Sequence, residues 1–261
     1  MGRDHRDMNR SADKKTAFVT GASYGVGAAT ALALARDGFD VAVSATRAEN
    51  LDATTARLEA IGVRVVPLVL DLGSQSSIER AMAGIASAFG HLDLLVNNAG
   101  SNLRKLAVDV TWAEWDAVLA SNLRGAFFLS QQVGRHLIAG GRAGAIVNIA
   151  STHGLVGAAE RSTYGIAKGS LIQMTRMLAI EWAEHGIRVN AIAPGRLDTR
   201  SPSRAARTGD PSYMQAMLAR IPLGRLATVD EVAAAVCYLA GPQGASITGQ
   251  TLVLDGGITA A

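Results

Sequence analysis

Short apolar runs alternate along the chain with longer segments whose apolar residues recur at helical spacing. The runs are residues 15–20 (KTAFVT), 40–46 (DVAVSAT), 63–70 (VRVVPLVL), 91–97 (HLDLLVN), 144–150 (GAIVNIA), 186–193 (GIRVNAIA) and 251–254 (TLVL). Their length and branched residues suit buried strands. Helices are predicted between them, over residues 28–36, 51–61, 75–89, 112–137, 162–184 and 228–240. The last is opened by a capping pattern, Thr228 with Glu231 three residues on. Strands that alternate with helices imply an α/β fold, a doubly wound parallel sheet of seven strands with helices on both faces. Pro67 cannot donate to a sheet ladder and so marks an edge strand or a bulge. An edge agrees with a 3-2-1-4-5-6 strand order.

At 261 residues and 49% hydrophobic, the chain can fill one large core, and residues 15–261 read as a single domain. Residues 1–14 are charged, lack the apolar centre of a secretory signal and read as a flexible tail. No apolar run reaches membrane-spanning length, so a cytoplasmic protein with no membrane partner is expected. A net charge of +3 is too small an excess for a nucleic-acid footprint. The one cysteine, Cys237, excludes an internal disulfide and a thiol metal site and reads as core filling; no metal is expected. Residues 196–225 are the compositional outlier. They hold Pro202, Pro211, Gly209 and six arginines (Arg196, Arg200, Arg204, Arg207, Arg220, Arg225) against Asp198 and Asp210. They read as a mobile lid with a short helix near 212–220.

The chemistry gathers at strand ends. After the first strand comes GASYGVG, in which Gly21, Gly25 and Gly27 flank Ser23, Tyr24 and Val26. A strand, a glycine turn and a helix start let the backbone approach a pyrophosphate and offer it unpaired N–H groups. The second strand ends in Ala45, Thr46 and Arg47, where an acid would accept from free ribose hydroxyls and an Arg accommodates a 2′-phosphate. The balance favours NADP over NAD, unless Arg47 pairs with Glu49 instead. Asp71, followed by Leu72, either accepts from the adenine amino group or caps the helix that starts near Ser74. In Asn97-Asn98-Ala99-Gly100, Asn97 is expected to tie strand ends together and the next three residues to line the cofactor. Asn122 within a helix either kinks it around a water or is an ordinary polar-face residue. Ser151 follows the fifth strand and precedes Tyr164-x-x-x-Lys168. In a helix beginning near Ser162 the Tyr and Lys share a face, so the ammonium lowers a phenol pKa that is ordinarily about 10. Ser151 offers a hydroxyl to the same spot. His153 either contacts substrate or packs at the strand end. Pro194-Gly195 brings a loop edge-on to a ligand, with Thr199 just beyond.

Four motifs in order, Thr20-Gly-x-x-x-Gly-x-Gly27, Asn97-Asn-Ala-Gly100, Ser151 with Tyr164-x-x-x-Lys168, and Pro194-Gly195, resemble the short-chain dehydrogenase/reductase family over residues 15–257. The resemblance implies a Rossmann fold and hydride transfer between a nicotinamide and a ketone or secondary alcohol. It implies Tyr164 as general acid or base, Lys168 as the residue that lowers the Tyr pKa and binds the nicotinamide ribose, and Ser151 as holder of the substrate oxygen. Asn122 matches a helix-kink residue that holds a water in a proton relay to Lys168. Gly21, Gly25 and Gly27 match the pyrophosphate loop, Asp71 an adenine contact and Thr199 a carboxamide contact. Tyr24 departs from the pattern, since NADP-using members often carry a basic residue there. A homotetramer is also implied, paired through helices around 111–138 and 162–184 and the C-terminal end.

The lid arginines, with Arg104 and Lys105, suggest an anionic small-molecule substrate. The sequence is similar to 3-oxoacyl thioester reductases and to sugar-acid dehydrogenases. Two other readings stand: a catalytically silent cofactor-binding scaffold, and a nucleotide-sugar epimerase or dehydratase.

Overall fold

The computed structural model describes residues 14–198 and 211–260. Its centre is a seven-stranded parallel sheet in the order β3-β2-β1-β4-β5-β6-β9. The strands are β1 (Thr16–Val19), β2 (Asp40–Ala45), β3 (Val65–Val69), β4 (Leu94–Asn97), β5 (Gly144–Ile149), β6 (Ile187–Pro194) and β9 (Thr251–Leu254). Successive strand residues face opposite sides, so Phe18, Leu95 and Ile146 enter one core while Ala17, Val19, Leu94, Val96, Ala145 and Val147 enter the other. The first core is covered by α3 (Gln75–Phe89), α5 (Gly125–Ala139) and α6 (Ser162–Glu181), the second by α1 (Gly25–Arg36), α2 (Asp52–Glu59) and α8 (Val229–Ala240). Strands buried on both faces explain the near-continuous apolar runs. Pro67 sits in β3, opposite Val43, at the sheet edge that the proline demands.

Several elements depart from the sequence pattern. The segment expected as one helix over 112–137 is α4 (Trp112–Leu119), a π turn over Ala120–Arg124, and α5. At the turn the Gly125 N–H reaches Ala120 O, five residues back. The helix carrying Lys168 ends at Glu181, short of 184, and Gly186 turns the chain with φ 70°. Residues 48–51 form a 3₁₀ turn ahead of α2. In the lid, α7 (Pro211–Leu218) matches the expected short helix. The chain also forms a two-stranded ladder of β7 (Leu197–Asp198) and β8 (Ala227–Thr228), which the sequence pattern does not signal. The Thr228–Glu231 capping box is formed in full. Cys237 is half-buried on α8, and burial together with Asp37 pushes its thiol up to about 12, so it is inert. Residues 1–13, Thr199, Arg200, Arg204 and Arg207 lie outside the described residues.

Asn97 holds the middle of the sheet to its helices. Its Nδ2 donates to Ser130 Oγ at 2.9 Å and Asn148 Oδ1 at 2.8 Å, and Asn148 Nδ2 donates onward to Thr175 Oγ1 at 2.8 Å. All four are buried. Asn97→Ala strands the Asn148 oxygen without a donor, so a loss of about 2 kcal/mol is expected. Urea unfolding with an unchanged m-value checks it.

Candidate active site

All the described site residues lie at the carboxyl ends of the parallel strands, around the point between β1 and β4 where the strand order reverses. There the β1–α1 loop carries Gly21, Ser23, Tyr24, Gly25, Val26 and Gly27. A Cβ on Gly21 would lie 2.8 Å from Ala99 Cα, and one on Gly27 2.3 Å from Gly21 O, so both glycines exist to let backbone close on backbone. Gly25 is different. Its φ is 62°, yet a Cβ there would meet nothing, so its freedom opens the turn toward a ligand. Tyr24 precedes α1 without a side-chain cap and is exposed, leaving the first helical N–H groups to an anion.

The Asn97–Gly100 turn is tied to this loop. Asn98 Nδ2 donates to Thr20 O and Gly21 O, both at 2.9 Å, while Thr20 Oγ1 accepts from the N–H groups of Asn98 and Ala99 at 3.0 Å. The side-chain donors of Asn98 are thus spent on positioning the glycine loop. Thr20, which opens the glycine motif, is the residue that joins the two turns, a part the motif's spacing does not assign to it. Arg47 is exposed beyond β2 and, among the described residues, makes no ion pair, with Glu49 or otherwise. Ser74 caps α3 and Asp71 braces the turn before it, accepting from Gly73 N at 2.8 Å. The Leu72 side chain is in the core, so only its backbone is left to meet a ligand. Pro194-Gly195 closes β6, where a Cβ on Gly195 would strike Asp255 at 2.7 Å.

Ser151 is buried at the end of β5, and Tyr164 and Lys168 stand one turn apart near the start of α6. The 3₁₀ turn Thr152–Gly154 rests directly on α6. A Cβ on Gly154 would lie 2.7 Å from Lys168 C, and one on Gly165 2.8 Å from His153 O. Glycines 154 and 165 therefore set how close Ser151 comes to the Tyr–Lys helix, a role with no sequence signal beyond the glycines themselves. Lys168 Nζ lies 5.8 Å from the Tyr164 ring centroid and donates to Ile149 O at 2.8 Å, one of its three N–H donors. Burial pulls its pKa down to about 8. Asn122 sits on the π turn, its Nδ2 donating to Val118 O at 3.0 Å and Ser101 O at 2.8 Å. By capturing the carbonyl four residues back, it explains the interrupted helix. Its Oδ1 is buried with no partner and borders, with Lys168 Nζ, the space beside Gly100.

Arg104 and Lys105 bond to Glu160 and Glu114 respectively, clasping the loop after β4 to its surroundings. Arg225 is likewise held by Glu231, at 2.7 Å.

A family model described as enoyl-(acyl carrier protein) reductase matches residues 21–259. The chain belongs to the short-chain dehydrogenase/reductase family. It is 36% identical over 248 residues to a 3-oxoacyl-[acyl-carrier-protein] reductase of Thermotoga maritima, covering 94% of this chain and 97% of that protein. It is 34% identical over 243 residues to gluconate 5-dehydrogenase of Gluconobacter oxydans, covering 93% and 94%. A crystal structure assigned as a 2-deoxy-D-gluconate 3-dehydrogenase of Agrobacterium tumefaciens, with bound NADP, superposes with a TM-score of 0.87 at 35% identity, covering 96% and 98%. This short-chain dehydrogenase/reductase is an NAD(P)-dependent oxidoreductase of ketone and secondary-alcohol groups. The residues present fit such a cofactor: an uncapped helix start behind an open glycine, a buried ammonium with spare donors and an orphaned amide oxygen beside it.

The lowered Lys168 pKa has a thermodynamic sign. Below pH 8 both folded and unfolded chains hold the proton, and the folded chain bears the whole cost of a buried charge, about 3 kcal/mol for a shift of this size. The cost falls away between pH 8 and 10.5, as the folded form sheds the proton first. Lys168→Met in the cofactor-free protein is expected to raise the melting temperature at pH 7, with the gain shrinking toward pH 10. Thermal unfolding across that range checks it.

Proposed function

We propose that Tyr164 is the general acid of carbonyl reduction, and the base in reverse, with Lys168 and Ser151 as its partners. The observation that carries this is a buried ammonium one helical turn from the phenol, next to a serine hydroxyl at the strand end. The cofactor supplies or accepts a hydride. Ser151 Oγ donates a hydrogen bond to the substrate oxygen, and Tyr164 delivers its proton to that same oxygen as negative charge builds there. The phenolate left behind is stabilised by Lys168, whose charge sits in a dry site where it acts strongly. Asn122 Oδ1, an acceptor bordering the same space as Lys168 Nζ, lies where it can orient a water that returns the proton. Gly25 and the start of α1 take the pyrophosphate, and Lys168 the nicotinamide ribose. Tyr164→Phe should cut turnover by about 10²–10⁴-fold while cofactor affinity, read by fluorescence quenching, stays unchanged. Full activity in that variant would remove Tyr164 from the mechanism and favour another acid.

We read the preferred cofactor as NADP. The support is Arg47, exposed at the end of β2 with no carboxylate to hold it among the described residues. Arg47→Ala should weaken kcat/KM for NADPH by about 10–100-fold, the loss of a charged hydrogen bond, and leave NADH little changed. Equal losses on both would end the NADP reading.

The substrate is read as anionic, a 3-oxoacyl thioester or a sugar acid. The support among the described residues is Arg161, which also donates to Asn102 Oδ1 and the Leu103 carbonyl, and Arg196, both of whose charges act on His153 beside Tyr164. Acetoacetyl-CoA and 5-ketogluconate, assayed side by side, separate the two classes. The protein is also read as a cytoplasmic homotetramer. Trp112, Phe128, Ile166 and Ile180 expose apolar surface on α4, α5 and α6, and among the described residues no helix is long and apolar enough to cross a membrane. Light scattering should give four times the mass of one chain.

A further inference from the structure

The backbone of His153 is fixed on two sides. Its N–H donates to Ser151 Oγ at 3.2 Å, and its carbonyl rests where Gly165 has no side chain. The ring stands edge-on to Tyr164, with centroids 6.2 Å apart and planes at 81°. Nδ1 is buried with no partner, and no hydrogen bond from the ring is made among the described residues. An apolar ring of similar size would pack there without the cost of a stranded polar atom. Burial lowers the His153 pKa, and the charges of Arg161, at the start of α6, and Arg196, beyond β6, lower it further. Tyr164 and Lys168 are the other titratable groups nearby on α6. The ring is therefore neutral at pH 7 and carries one N–H. A buried N–H without an acceptor is much rarer than a buried lone pair without a donor, which puts the proton on Nε2 and leaves Nδ1 as the silent atom.

We propose that His153 is a substrate-binding residue whose Nε2–H donates to a second oxygen of the substrate while Ser151 and Tyr164 hold the reacting one. This rests on the roles given above to Tyr164 and Ser151. It narrows the substrate to a ketone or secondary alcohol with another oxygen acceptor two carbons along the same short chain: a 3-oxo ester, thioester or acid, or its hydroxy counterpart. A positive field from Arg161 and Arg196 suits an acceptor oxygen, whether carbonyl or carboxylate, and disfavours an amine. Ser151 and Tyr164 then define one end of the substrate and His153 the direction in which its chain leaves, which fixes the face of the carbonyl that is presented.

The test has two parts. Nitrogen-15 histidine spectra of the wild-type protein, with the His153 signals assigned by their loss in H153Q, should show a neutral ring protonated on Nε2 at pH 7. A ring protonated on Nδ1, or an imidazolium at that pH, overturns the proposal. Kinetics with NADPH then compare ethyl acetoacetate, acetoacetate and pentan-2-one, the last lacking the second oxygen. His153→Phe should raise KM for the two oxygenated substrates about tenfold, with kcat nearly unchanged, and leave pentan-2-one as it was. His153→Gln, which restores an N–H donor, should recover most of the loss. An equal effect of His153→Phe on all three ketones overturns the proposal and marks a packing role. Failure of the Tyr164→Phe prediction would sink the general-acid assignment instead, a result read from a different variant.

Discussion

A backbone-on-backbone contact sets the geometry on which the rest of the site depends. The turn after β5 lies against α6 with no side chain between them, because residues 154 and 165 are glycine. Helix and turn would otherwise be held apart by at least a methyl group at each point. The close approach sets how near the strand end that carries Ser151 comes to the helix that carries Tyr164 and Lys168. The sheet supplies the rigid half of the contact: β5 is bonded on both sides, and the Asn97–Asn148–Thr175 chain locks it to α6 through buried hydrogen bonds.

The second constraint is electrostatic. Lys168 is a cation whose hydrogen-bond partner among the described residues is the Ile149 carbonyl, in a place that water barely reaches. Such a group destabilises the fold that holds it and becomes favourable only when negative charge appears nearby. The interrupted helix beside it is part of the same arrangement. Asn122 spends its amide hydrogens on the released carbonyl and on the Ser101 backbone, and what remains is an oxygen facing the cation's surroundings. Burial, an interrupted helix and an unmatched polar atom coincide beside Lys168.

The sheet was legible in the sequence because strands buried on both faces leave long apolar runs, and because Pro67 betrays an edge. Pro67 as an edge marker agreed with the 3-2-1-4-5-6 order that the first six strands adopt. The glycine loop, Ser151, Tyr164 and Lys168 were legible through spacing. What stayed hidden was tertiary. Nothing near Arg104 says that it faces Glu160, fifty-six positions away, and charge alone had suggested a substrate contact. The π turn was half legible: an Asn in a helix signals a disturbance, but its form depends on Ser101, which a different loop brings in. The β7–β8 ladder is too short to leave any alternating pattern.

That small ladder has a consequence for what the chain can tolerate between its ends. It pins Leu197–Asp198 to Ala227–Thr228 beside the full capping box that starts α8, so the chain leaves the sheet and returns to it at fixed points. Whatever lies between, residues 199–226, can change in length and composition without moving β6 or α8. Each doubling of such a closed segment costs only about 0.6 kcal/mol in closure entropy. A change of length there is uncoupled from Ser151, Tyr164 and Lys168, which are mounted at the end of β5 and on α6. The scaffold separates the elements that hold the candidate chemistry from a connection whose length is free to vary.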